Sequence, residues 1–194
     1  MKKKFLVVIV LIAILGGLFV LTGCETNKVS DNNGNSSLNT SGKEIEVNGV
    51  KFKLDKEDNY GSSFKYKYSS SFKEDYLGTT RFYYLSNQDD NRMVEIRVNS
   101  SYTTPQQILA EKESNYSNDN TTDVKSENKM MNDREWTYIE YNNIQKDKNY
   151  TNHEYYYNFG DNYCVVRFII DSSVNDLNGI NELENEFIYN ISFN

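Results

Sequence analysis

Apolar and polar residues alternate with a period of two through most of the chain after residue 43, and turn-forming residues separate the alternating runs. The clearest example surrounds Asn48-Gly49, with EIEV before it at 44–47 and VKFKL after it at 50–54. Asn-Gly provides the two residues of positive φ that a type I′ turn requires, and strict alternation is typical of half-buried strands. The pattern restricts this part of the chain to antiparallel strands joined by tight turns.

The same alternation predicts further strands along the chain. They are SFKYKYSS (63–70), TRFYYLS (80–86), RMVEIRVNS (92–100), VKSENKMM (124–131), REWTYIEYNN (134–143), HEYYYNF (153–159), YCVVRFIID (163–171) and FIYNISF (187–193). In the final segment the residues that share one face are Phe187, Tyr189, Ile191 and Phe193. We therefore expect a C-terminal strand that completes a sheet.

Two segments depart from this alternation and predict helices. Thr104 and Gln107 form a capping box, with a proline at the first helical position, so a helix is expected over 105–116, followed by a loop at 117–123. The second covers about 176–186, where apolar residues recur at helical spacing although one glycine lowers the helix propensity. The order of elements predicts an α+β fold, an antiparallel β-sheet with two helices packed on it.

The N-terminal segment has the layout of a secretory signal. Three lysines at 2–4 precede an apolar run over 5–20, and Leu21-Thr22-Gly23-Cys24 follows. These four residues resemble the lipobox of bacterial lipoproteins. The resemblance implies that residues 1–23 are removed as a signal peptide and that a diacylglycerol is attached to the Cys24 thiol. The alternative is an uncleaved transmembrane helix with an incidental cysteine, for which the run is short of the ~20 apolar residues that span a bilayer.

A lipidated Cys24 would place the protein on the extracytoplasmic face of the cell membrane, because two acyl chains anchor a protein stably. Residues 24–43 are rich in Asn, Ser, Thr and Gly without an apolar period, a composition typical of a flexible tether. The single predicted domain then covers residues 44–194, which is long enough to bury a core. The expected partners are the membrane, through the lipid, and an envelope protein or glycan.

Charge and cysteine content restrict the partners and the chemistry. The formal net charge is −7, which disfavours polyphosphates, so nucleic acid is excluded as an expected partner. With Cys24 lipidated, Cys164 has no partner for an intramolecular disulfide. Alternation places Cys164 in the core as an inert thiol, and the alternative, a catalytic nucleophile, requires it to be exposed.

Parts of the predicted domain resemble the PsbP-like family, which includes the extrinsic lumenal protein of photosystem II and many bacterial lipoproteins. They are FKYKYSSSFKED (64–75), the Thr-Pro helix start after VEIRVNSS (94–101), MMNDREWTYIEYNN (130–143) and the late helix before FIYNISF (187–193). The resemblance covers about residues 46–194. It implies a PsbP-like fold and a role in binding or assembly, since the members are mostly binding or assembly factors and share no catalytic motif.

Few residues form a recognisable catalytic, metal-binding or cofactor-binding pattern. His153 is the only histidine, so no histidine-based zinc site is expected; it is interpreted as a solvent-facing strand residue, with a Ser-His-Asp triad as the alternative. Asp89-Asp90 lies in a polar turn that is interpreted as solvated, with weak Ca²⁺ binding as the alternative. Nucleotide and cofactor motifs are missing from the sequence, so we expect no cofactor, no metal site and no enzyme activity.

Aromatic residues are the remaining candidates for a site. A dense group occupies two neighbouring predicted strands and consists of Trp136, Tyr138, Tyr141, Tyr155, Tyr156 and Tyr157. Exposed Tyr and Trp favour contact surfaces, so this group is a candidate binding face; the alternative is that it fills the core. The sequence therefore predicts a non-enzymatic binding or assembly module. The alternatives are an envelope hydrolase or transferase with an unrecognised carboxylate site near His153, and a substrate-binding lipoprotein.

Overall fold

The computed structural model describes residues 42–114 and 121–194. The signal peptide predicted over 1–23 and the lipidation site Cys24 lie outside the described residues, as does the predicted tether over 24–43 apart from its last two residues. These three features therefore stay predictions.

The hairpin predicted around Asn48-Gly49 is confirmed. β1 (Glu44–Val47) and β2 (Val50–Lys53) pair antiparallel, and the two turn residues have positive φ angles of 52° and 82°. The predicted turn at Asn132-Asp133 has the same geometry, with φ angles of 51° and 55°. Both turns therefore have the backbone that a tight antiparallel hairpin requires.

A second small sheet joins the early part of the chain to its C-terminal end. Its strands are β3 (Lys56–Tyr60), β4 (Phe64–Tyr68) and β12 (Ser192–Phe193), with β4 in the centre. The alternation in β4 predicted that strand. β3 was missed because its sequence, KEDNY, offers almost no apolar alternation.

The other strands form a seven-stranded sheet in which every neighbouring pair is antiparallel. They are β5 (Lys73–Leu77), β6 (Thr80–Ser86), β7 (Arg92–Ser101), β8 (Thr121–Met131), β9 (Arg134–Gln145), β10 (Lys148–Asn158) and β11 (Tyr163–Asp171). Their order across the sheet is β5-β6-β7-β11-β10-β9-β8. The predicted pairs β6–β7, β8–β9 and β10–β11 are confirmed. β5 was missed because it is exposed along its whole length, and the loop predicted over 117–123 is wrong for its last residues because β8 begins at Thr121.

The first helix begins as predicted. In α1 (Pro105–Ser114), the Thr104 N–H donates to Gln107 Oε1 at 2.9 Å, and the Gln107 N–H donates to Thr104 Oγ1 at 3.2 Å. This reciprocal pair satisfies two backbone donors that the first helical turn leaves without intrahelical acceptors. The end predicted at Tyr116 lies outside the described residues.

The second helix, α2 (Leu177–Tyr189), is attached to the first hairpin at its start. The Asp176 carboxylate accepts the N–H of Gly179 at 2.8 Å and the N–H of Asn48 at 3.1 Å. A Cβ atom at Gly179 would lie 2.3 Å from the carbonyl oxygen of Glu46. The glycine that lowers the helix propensity is therefore the residue that allows α2 to approach β1 closely.

The C-terminal strand predicted over 187–193 is wrong for most of its length. Residues 187–189 form the last turn of α2, and Tyr189, predicted to face the core, is 52% exposed. Phe187 and Ile188 continue the helical spacing of Ile180 and Leu183, and this periodicity prevails over the apparent alternation. Only β12 keeps the predicted strand character.

One face of the large sheet, the inner face, is covered by α2 and the three-stranded sheet. The Phe168 ring in β11 meets the Phe187 ring in α2 at 5.8 Å between centroids, and the Tyr66 ring in β4 meets the Tyr83 ring in β6 at 5.9 Å. All four side chains are fully buried. The main core therefore lies between the two sheets and α2.

The opposite face of the large sheet, the outer face, is covered by α1 over part of its area. Ile108 and Leu109 of α1 pack against a smaller cluster, which contains Ile139, Tyr141, Tyr156 and Val165. The described part of the chain thus has an antiparallel sheet with a helix on each side, which agrees with the predicted α+β class.

Candidate functional site

The aromatic residues predicted to form a binding face lie in the core. Five of them are between 1% and 5% exposed, and Tyr157 is half-buried. They are Trp136, Tyr138 and Tyr155 on the inner face, Tyr141 and Tyr156 on the outer face, and Tyr157. The prediction of an exposed aromatic face is wrong because β9 and β10 are interior strands, and both faces of the sheet are covered where these side chains lie.

Cys164 and the Asp89-Asp90 turn are the two weaker candidates for reactive or metal-binding chemistry. Cys164 is fully buried, as alternation predicted, and burial raises the pKa of its thiol well above the ordinary value. Asp90 instead pairs with Lys73 at 2.7 Å on the surface. Within residues 42–114 and 121–194, no group of three or more His, Cys, Asp or Glu is arranged to hold a metal ion.

Among the residues that the structure describes, neither helix combines the length and the apolar character that crossing a bilayer requires.

His153 is not the solvent-facing residue that the sequence predicted. Its side chain is 13% exposed, and its Nδ1 atom lies 2.5 Å from Glu184 Oε1 of α2. The Tyr155 hydroxyl donates to the second oxygen of Glu184 at 2.6 Å. Beside His153 in the sheet register is Glu140, which accepts the Tyr138 hydroxyl at 2.9 Å. We call these five residues the His153 cluster.

The His153 cluster contains a histidine and two carboxylates, but the histidine and Glu184 do not line a cavity. The nearest depression, about 290 Å³ in volume, is lined by Tyr138 and Glu140 but not by His153 or Glu184. Both oxygens of Glu184 already accept hydrogen bonds from inside the fold. This arrangement holds α2 against the sheet and leaves little room for a substrate.

A second buried glutamate lies on the outer face. Glu154 is fully buried; it accepts the hydroxyls of Tyr141, at 2.6 Å, and Tyr156, and forms an ion pair with Arg167 at 2.7 Å. Burial and the Glu154 charge raise the pKa of both tyrosines, so their hydroxyls stay protonated and donate. Burial opposes the charge of Arg167, but the nearby Glu154 carboxylate outweighs it and raises the guanidinium pKa. We call this group the Glu154 cluster.

Three adjoining depressions lie at one end of the large sheet, where β9 turns into β10. The first, the polar depression, has a volume of about 370 Å³. The larger part of its lining surface is apolar, but several lining residues carry an amide, hydroxyl or phenol group, among them Asn142, Asn143, Asn149, Tyr150, Thr151 and Ser172. The second, the cationic depression, has a volume of about 290 Å³ and shares Tyr150 with the first. A third depression of about 540 Å³ shares Asn149 with the first and Arg92 with the second.

The polar depression combines fixed and open hydrogen-bonding groups. Thr151 Oγ1 donates to Asn142 Oδ1 at 2.9 Å, and Asn143 Oδ1 accepts Asn152 Nδ2 at 2.9 Å. The side chain of Asn149 and the hydroxyl of Tyr150 have no protein partner within residues 42–114 and 121–194. Neighbouring bonds thus order part of the lining, while the open groups stay available to a ligand.

Sequence reasoning missed these depressions. Their residues come from the ends of β7, β8, β9, β10 and β11, and only the strand register brings them together. The one local signal was the density of asparagine over 142–152, which is equally typical of a solvated hairpin end.

No family model matches the sequence, and no curated protein matches it either. Among solved structures, the chain is similar to the Ran-binding protein Mog1p of Saccharomyces cerevisiae, with a TM-score of 0.52, 11% identity and coverage of 71% of this chain and 94% of that one. This likeness concerns the fold alone.

Two further structures are similar at lower scores. A cyanobacterial PsbP from Synechocystis has a TM-score of 0.48 and 10% identity, with coverage of 72% of this chain and 92% of that one. A protein from Bacteroides thetaiotaomicron has a TM-score of 0.48 and 12% identity; the match covers 73% of this chain, which spans about half, 49%, of that protein.

Proposed function

We propose that this chain is an extracytoplasmic lipoprotein, anchored to the cell membrane through Cys24, whose PsbP-like domain is a non-enzymatic binding module. The anchor is supported by the lipobox-like Leu21-Thr22-Gly23-Cys24 after a basic and then apolar segment. The PsbP-like assignment is supported by the resemblance of segments between 64 and 193. The ligand is a hydroxyl-rich envelope glycan, held in the polar depression.

The observation that carries the proposal is the set of open polar groups in the polar depression. Sugar hydroxyls both donate and accept hydrogen bonds, and amide side chains such as Asn149 offer both functions in one group. The Tyr150 phenol adds a flat apolar ring with a polar tip, and Ile144, 46% exposed, adds an apolar wall. A concave surface with this lining suits a polar ligand that also has apolar ring faces.

A hydrolase or transferase has less support. It would need His153 and a carboxylate within reach of a bound substrate. Glu184 is 3% exposed and already accepts two hydrogen bonds, so the His153 cluster supports a structural role better than a catalytic one.

Binding is tested by co-sedimentation of the full-length lipidated protein, in detergent, with envelope polysaccharide isolated from the native cell. Asn149→Leu, together with Ser172→Ala, should weaken binding by about thirtyfold, because each change removes a hydrogen bond of about 1 kcal/mol to the ligand. The matched control is Asn59→Leu, an exposed asparagine on β3 outside the depression, which should bind as the wild type does. Equal binding by the wild type and the double variant would contradict the proposal, as would the absence of binding.

A further inference from the structure

The cationic depression lies on the outer face, next to the polar depression, and Tyr150 lines both. Its charged lining consists of Arg92, Glu95, Arg97, Lys146, Lys148 and Asp171. A chain-like ligand in the polar depression can therefore pass Tyr150 and reach these side chains.

Positive charge exceeds negative charge in this depression. Glu95, only 10% exposed, is shared by two arginines: Arg92 Nη1 lies 3.1 Å from one oxygen, and Arg97 Nε contacts the other. Lys148 and Asp171 form a looser pair at 4.0 Å. Lys146 at the β9–β10 turn makes no ion pair within the described residues. Four cationic side chains thus face two carboxylates, which leaves two positive charges in excess.

Aromatic rings hold the two guanidinium groups in place. The Arg92 guanidinium lies 3.7 Å from the centre of the Tyr84 ring, and the Arg97 guanidinium lies 5.3 Å from the centre of the Phe82 ring. Arg97 uses Nε for Glu95, so its two terminal nitrogens can still donate. A stacked guanidinium loses little freedom when it binds a carboxylate or a phosphate through two parallel hydrogen bonds.

The excess is local, because the whole chain has a formal net charge of −7. At physiological salt the screening length is about 8 Å, so a bound anion experiences mainly the side chains that line the depression. We propose that the cationic depression binds an anionic substituent, a carboxylate or a phosphate, of the envelope glycan. This inference rests on the proposed function and narrows the ligand to an acidic glycan.

The test measures binding of short probes to the full-length lipidated protein in detergent by calorimetry at low and high salt. The probes are trigalacturonate, its neutral methyl ester, and a glycerol phosphate trimer. At least one anionic probe should bind about tenfold more tightly than the neutral ester, as expected for one charge-assisted contact, and the advantage should shrink in high salt. Preference for the carboxylate or for the phosphate probe identifies the anionic group.

Two double variants test whether the cationic depression causes the preference for anionic probes. Lys146→Gln combined with Arg97→Gln should remove the preference for the anionic probe and leave binding of the ester unchanged. The matched control is the double variant Lys53→Gln with Lys67→Gln. It changes an exposed lysine on β2 and a half-exposed lysine on β4, and it should keep the preference for the anionic probe. Equal affinity for the ester and both anionic probes overturns this inference alone, while failure of all three probes and of the isolated polysaccharide overturns the proposed function as well.

Discussion

Glu154 on the outer face of the large sheet and Glu184 against its inner face are the two most deeply buried glutamates of the described residues, and their charges are compensated differently. On the outer face, Glu154 meets the permanent cation of Arg167 and two tyrosine hydroxyls. On the inner face, Glu184 meets His153 and one tyrosine hydroxyl. A guanidinium keeps its charge at every physiological pH, whereas an imidazole is charged only when protonated.

The two glutamates also differ in which parts of the fold their contacts join. Glu154 and Arg167 face each other within the sheet, since their strands are paired in register. Glu184 reaches the sheet from α2, so its contacts join two layers of the domain. The outer cluster therefore stabilises the sheet itself, and the inner cluster stabilises the attachment of α2 to the sheet.

The largest effect is expected from Arg167→Met, which leaves Glu154 buried without a countercharge. The free energy of unfolding should fall by about 3–5 kcal/mol, because removing one partner of a buried ion pair leaves the other uncompensated. Urea unfolding followed by tyrosine and tryptophan fluorescence measures the change. The double variant Arg167→Met with Glu154→Gln should recover most of the loss, and a single-variant loss below about 1 kcal/mol would show that the pair contributes little.

A smaller effect is expected from His153→Phe, which keeps an aromatic ring beside Tyr138 but removes the hydrogen bond to Glu184. The Tyr155 hydroxyl remains, so the loss should be about 1–3 kcal/mol, the usual cost of leaving one buried polar group short of a partner. The same urea measurement applies, with Glu184→Gln as the control that removes the charge instead of the partner. A loss of unfolding free energy equal to that of Arg167→Met would mean that the two faces do not differ in how they compensate a buried carboxylate.

The smallest effect is expected at Asp55, an exposed carboxylate that serves as the reference for the two buried ones. Hydrogen bonds from the Ser70 hydroxyl and N–H lower the pKa of Asp55 below the ordinary value of 3.8. A lowered pKa in the folded state means that this carboxylate stabilises the fold above about pH 4 and that the contribution is lost as pH falls through the folded-state pKa.

Asp55→Asn should therefore cost less than about 1 kcal/mol at pH 7, since solvent screens the group, and less still at pH 3. Urea midpoints of the wild type and the variant at both pH values measure the difference. Asp161→Asn, in an exposed turn, is the control. A stability difference between the wild type and Asp55→Asn that grows as the pH falls would contradict the lowered pKa of Asp55.

Local sequence rules predicted the elements whose cause is local. The turns at Asn48-Gly49 and Asn132-Asp133 and the capping box at Thr104 depend on residues within four positions of one another, and all three are confirmed. Prediction was poorer for β3, which has almost no apolar pattern of its own and is a strand because β4 pairs with it.

Alternation also placed side chains on the correct face without showing whether that face is covered. It separated Tyr155 from Tyr156, which do lie on opposite faces of the sheet. Their burial depends on α2 and α1, which come from distant parts of the chain. The same limit explains why His153 was wrongly predicted to face solvent, since its partner Glu184 is 31 positions away and belongs to a helix.

The sequence by itself determined most of the strands and tight turns, the α+β class, the start of α1 and the lipobox-like segment that motivates the proposed anchor, because each depends on neighbouring residues. Only the tertiary structure decided which faces are closed, which buried carboxylates find partners and where polar side chains from five strand ends converge. Those outcomes depend on pairing between residues far apart in the chain, where burial and register, rather than local preference, set the free energy.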